Sequence, residues 1–104
     1  MIPSDTRLTL IDQATDHRAE GDISEATHSL FVRHLRRDDI DVRDWHRCGD
    51  LAKTGALTHH QARIAAGQLV AAGLLDRRVL TRRRRGDRQY VEYRLPLAAE
   101  GGTQ

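Results

Sequence analysis

The stretch from Leu57 to Leu75, LTHHQARIAAGQLVAAGLL, constrains the fold more than any other. Thr58 is a helix-capping residue type, and Gln61 three places on completes a capping-box pattern. Ala62, Ala66, Leu69 and Val70 then recur at helical spacing and form a narrow apolar line. Gly73 marks the stop. Inward-facing alanines suit the close approach of another helix.

The upstream segment DIDVRDWHRCGDLAKTGAL admits two readings. Val42, Trp45, Leu51 and Ala52 share one helix face, or IDV is a short strand before a helix that begins near Trp45. The preferred reading is a helix over His46–Thr54, stopped at Gly55. Two amphipathic helices precede it. The first places Leu8, Ile11, Ala14 and Thr15 on one face, with Ser4 or Asp5 as cap and Gly21 as stop. The second has Asp22 and Glu25 at capping-box spacing and Ile23, Thr27, Leu30, Phe31, His34 and Leu35 on one face. Each apolar face must pack on something, either the domain core or a second copy of the chain.

Past Gly73 the apolar period changes from helical to alternating. RRVLTRR and RQYVEYRL are strand-like, with Val91, Tyr93 and Leu95 on one face and Tyr90, Glu92 and Arg94 on the other. Gly86-Asp87 suits a type II′ hairpin turn, and Pro96 closes the second strand. The expectation is an α+β, mostly helical fold: about four helices followed by a two-stranded hairpin. The 104 residues fit one domain over 5–96, with loose ends at 1–4 and 97–104. Within it, 5–37 holds the N-terminal helices, 46–73 the paired helices and 76–95 the hairpin.

Charge is divided along the chain. Met1–Trp45 has 6 Arg against 10 acids, a balance of −4. His46–Leu75 has 3 basic residues against 1 acid (+2), and Asp76–Gln104 has 8 Arg against 4 acids (+4). A basic second half points to a polyanion-binding surface there. Of the 17 basic residues only Lys53 is a lysine. Arginine forks onto phosphate or guanine as lysine cannot.

The order helix, tight turn, helix, hairpin resembles the winged helix-turn-helix DNA-binding superfamily, as in ArsR/MarR-like bacterial or archaeal regulators. The likeness runs from about Trp45 to Leu95. Leu51-Ala52 resemble the apolar-plus-small pair of the first helix, Leu57-Thr58 the end of the turn, AAGLL the exit into the wing and GDRQYVEYRL its second strand. Two departures stand out. The turn reads Gly55-Ala56 where a glycine usually comes second, and Ile64 occupies an outward position that is often polar or basic.

The resemblance implies a small double-stranded DNA-binding regulator, a homodimer paired through its N-terminal helices, cytoplasmic and nucleoid-associated. The 58–72 helix would enter the major groove, and the 82–88 wing would meet the backbone or minor groove. The implied DNA contacts are Thr58, His59, His60, Gln61, Arg63 and Gln68 on the helix, with Arg82, Arg83, Arg84, Arg85 and Arg88 on the wing. The bland alternative for the wing is a charged edge that discourages strand aggregation. The other functional readings are a mobile-element replication, excision or architectural DNA factor, and a protein-interaction subunit of a larger complex.

Enzyme chemistry is not expected: no phosphate-cradling glycine loop or nucleophile motif is present. No cofactor or metal is expected either. His46 and Cys48 stand two apart, but zinc needs three or four convergent ligands. Asp38, Asp39, Asp41 and Asp44 lack the glycine and closing glutamate of a calcium loop. Cys48, the single cysteine, can form no internal disulfide and reads as a small buried residue. The first residues lack a signal-peptide pattern, and no apolar run is long enough to span a bilayer.

Overall fold

The computed structural model describes residues 3–82 and 88–96, with Arg82 and Arg88 described in backbone only. The elements are α1 (Ser4–Glu20), α2 (Glu25–Leu35), β1 (His46–Arg47), α3 (Cys48–Gly55), α4 (His59–Ala71), β2 (Asp76–Arg82) and β3 (Arg88–Arg94). The fold is α+β: four helices and an antiparallel sheet in the order β1-β3-β2. This arrangement is compatible with a winged helix.

The six residues expected on one face of the second helix, Ile23, Thr27, Leu30, Phe31, His34 and Leu35, are all buried, although Ile23 precedes α2 itself. Ile23, Leu30, Phe31 and Leu35 join Leu51, Leu69, Leu74, Tyr93 and Leu95 in one core. In α4, Ala62, Ala65, Ala66 and Leu69 are buried, and the helix packs against α3 and α2. The Thr58–Gln61 capping box forms in both directions. In α1 the buried pair is Leu10 and Ala14, whereas Leu8 is 59% exposed, so the expected face is rotated. The cap of α2 is also corrected. Ser24, not Asp22, accepts from the Thr27 amide, and Asp22 pairs with His17 at 2.8 Å.

The largest correction concerns 42–47. His46 and Arg47 form a strand opposite Tyr93 and Glu92, and the helix begins only at Cys48. Val42 is buried in the core from a non-helical segment. The pairing supplies hydrogen-bond partners to an edge of β3 that a two-stranded hairpin would leave open. The sheet therefore has three strands, not two.

Three helices end alike. The chain reverses through a left-handed residue, and its next amide bonds back five residues: Asp22 to His17, Leu57 to Ala52 and Leu74 to Leu69. The left-handed residue is Gly21 after α1 and Gly73 after α4, but Ala56 after α3, at φ 53°. Gly55, the expected stop, is the last residue of α3. A Cβ there would lie 2.9 Å from Leu30 Cδ1, so the glycine serves close packing against α2. This accounts for the displaced glycine of the turn.

The hairpin register is Arg77↔Tyr93, Val79↔Val91 and Arg82↔Arg88. The Gly86-Asp87 turn lies outside the described residues. A two-residue turn there would pair Arg85 with Arg88, whereas Arg82 faces Arg88. The base of the hairpin sets this register, because Tyr93 and Leu95 must face the core.

Candidate nucleic-acid interface

Between α4 and the hairpin runs a groove of about 810 Å³. One wall is α4, with His59, Arg63, Gly67 and Val70; the other is the strand face carrying Arg77, Val91 and Tyr93. Arg47 and Cys48 close one end. Among the described residues that line it, three are arginines and none carries a carboxylate. Helical and strand periods produce this together: Arg63 lies on the hairpin side of α4, and Arg77 shares the strand face of Tyr93.

The expected helix residues divide into three groups. His59 and Arg63 line the groove. His60 is exposed on the outward side, away from the buried alanines. Thr58 and Gln61 are exposed but occupied in capping: the Thr58 hydroxyl accepts from the Gln61 amide, and Gln61 Oε1 accepts from the Thr58 amide. Gln68 does not join the surface they form. Its Oε1 accepts from the Ser24 amide at 2.9 Å and from the Thr27 hydroxyl at 2.8 Å, tying α4 to the start of α2. Arg83, Arg84 and Arg85 lie outside the described residues, as do the side chains of Arg82 and Arg88.

Cys48 is buried, and its thiol donates to the His59 carbonyl at 3.5 Å. Burial pushes the thiol pKa up, so it stays protonated. His46 turns elsewhere, with Nδ1 2.9 Å from Asp50 Oδ2 and Nε2 2.8 Å from the Asp41 carbonyl. The two residues therefore share no ligand position. Among the described residues, His17, Glu20 and Asp22 converge at the surface by the end of α1, remote in sequence from the groove residues.

The opposite face of the hairpin carries a second cluster, built around Trp45. Two guanidinium groups stack on Trp45, Arg78 at 4.3 Å and Arg94 at 4.5 Å from its ring centroid. Glu92 accepts from Arg78 at 2.6 Å, and Arg47 stacks on Tyr90 at 4.3 Å. Arg78, Glu92 and Arg94 alternate with the core-facing residues, so their shared face was readable. That Trp45 would meet them was not, because β1 was unrecognised.

No protein-family model, no curated protein and no solved structure matches the chain. No helix among the described residues is long and apolar enough to cross a membrane.

Proposed function

We propose that this protein binds double-stranded DNA with sequence preference and acts as a small transcriptional regulator. The observation that supports this most directly is the groove between α4 and the hairpin, with Arg63 and Arg77 on its two walls and no carboxylate among the described residues that line it. Guanidinium groups on two walls of one groove match a phosphate backbone passing between them. α4 presents an exposed side to base edges. The hairpin carries the arginine run to the adjacent backbone or minor groove. A single domain of this size makes few contacts, so a two-fold pair formed through α1 and α2 belongs to the same reading. Leu8, exposed on α1, is available for such pairing.

Selection of bound fragments from a random duplex pool tests the reading. An enriched motif, with affinity falling steeply as salt rises, is the expected result. Replacing Arg63 and Arg77 by alanine should lower affinity for all sequences and flatten the salt dependence by roughly one unit of slope per lost phosphate contact. Replacing Arg84, Arg85 and Arg88 tests the wing in the same way. No enrichment at low salt, or a flat salt dependence, defeats the proposal.

A further inference from the structure

Gly67 stands in the middle of α4, exposed and in ordinary helical backbone. A Cβ built on it meets nothing within 4 Å, so neither packing nor backbone conformation requires glycine there. A helix-interior glycine is nevertheless destabilising relative to alanine. Three residues earlier, Ile64 is 51% exposed, one of the few large apolar side chains left in solvent. At 100° per residue, His60, Ile64, Gly67 and Ala71 share the side of α4 opposite Ala62, Ala65, Ala66 and Leu69. α4 carries no carboxylate. The surface thus offers an apolar branch, a point of close backbone approach and flanking arginines.

A major groove is a polyanion whose floor bears one apolar group, the C5-methyl of thymine. We infer that Ile64 is a specificity-determining residue that reads this methyl group, and that Gly67 lets the duplex close onto the helix backbone. The inference rests on the DNA-binding reading above. It assigns apolar readout to Ile64 and a polar contact to His60, leaving Arg63 on the hairpin side for phosphate.

The test uses the full chain and a fluorescein-labelled duplex enriched from a random pool. Each thymine is replaced in turn by deoxyuridine, which removes only the methyl. At one or more positions wild type should lose affinity about fourfold, the factor for one buried methyl-sized group. Ile64→Ala should bind the thymine and uracil duplexes equally. Gly67→Ala should melt about 4 °C higher yet bind at least about fivefold more weakly. A bound duplex indifferent to every uracil replacement overturns the inference, as does a uracil penalty retained in Ile64→Ala or unchanged binding by Gly67→Ala. If Ile64→Ala converts a dimer to a monomer in sedimentation, the face belongs to a second copy and the inference falls. Failure to bind any duplex defeats the DNA reading itself, and this inference with it.

Discussion

Replacing Ala56 by glycine should stabilise the protein. The three helix ends that share one hydrogen-bonding pattern provide an internal comparison. Two place glycine at the left-handed position, at φ 83° and 78°, and the third places Ala56 there at φ 53°. A left-handed residue with a Cβ costs about 1–2 kcal/mol. Ala56 is exposed, so its methyl contributes little burial in return. Glycine loses about 0.4–1 kcal/mol through the greater freedom of the unfolded chain. The net is a gain of about 0.5–1 kcal/mol, or roughly 4 °C in melting temperature. Urea titration should show a higher midpoint at unchanged slope. Gly55→Ala should act in the opposite direction. Its new Cβ would meet Leu30 Cδ1 at 2.9 Å and Leu57 at 3.2 Å, and Leu30 is fully enclosed. Overpacking of that kind costs about 1–3 kcal/mol, more than the helix preference of alanine returns. A lower midpoint for Ala56→Gly would refute the assignment of strain to the turn.

Burial holds His34 neutral, with its pKa lowered to about 4 and nearby His46 and Arg37 acting in the same direction. Because the unfolded chain takes up this proton nearer pH 6.5, stability is complete above that value and falls as pH drops toward 4. The full loss is about 3 kcal/mol. His34→Leu should flatten the urea midpoint across that window, and an unchanged profile would clear His34 of the effect. Gln68→Ala should cost about 1–2 kcal/mol by removing the acceptor of Ser24 and Thr27, while leaving DNA affinity unaltered once refolded at low temperature. A selective loss of affinity would restore Gln68 to the DNA surface. Trp45→Ala should cost about 2 kcal/mol and speed amide exchange in β2 and β3. Exchange confined to α3 would count against its bracing of the hairpin.

Much of this architecture can be read from the residues because local and tertiary preferences agree. Over 23–35 the spacing of Ile23, Thr27, Leu30, Phe31, His34 and Leu35 admits one inward face, and that face is buried. In α4 the cap, the alanine line and Gly73 mark both ends correctly to within a residue or two. The misreading of 42–47 has a local cause. A two-residue strand such as His46–Arg47 has no period to detect, and Val42, Trp45 and Leu51 imitate helical spacing by coincidence. Gln68 lies beside Gln61 on the flank of α4, and only the arrival of the α2 N-terminus decides its partner. Ile64 was recognisable as unusual, but Gly67 acquires meaning only once the space around it is known to be empty.

The hairpin also changes how the charge should be counted. Two strands alone are marginal in water, and this pair is held on three sides. β1 pairs with β3, Tyr93 and Leu95 anchor one face in the core, and Trp45, stacked with Arg78 and Arg94, braces the other. A braced hairpin loses less freedom on binding than a loose basic segment would. The bracing consumes arginines, however. Arg78 is held by Glu92 and Trp45, and Arg94 by Trp45, so the +4 balance of the last segment overstates what can reach a phosphate. On the proposed DNA-binding reading, Arg63 and Arg77 in the groove would contribute a salt slope of roughly −2 per domain. Arg47 is likewise held, by Tyr90 and Glu92, so any slope measured beyond that is assigned to the run between β2 and β3. The difference between wild type and the Arg84, Arg85 and Arg88 triple variant therefore separates the groove from the wing in one titration.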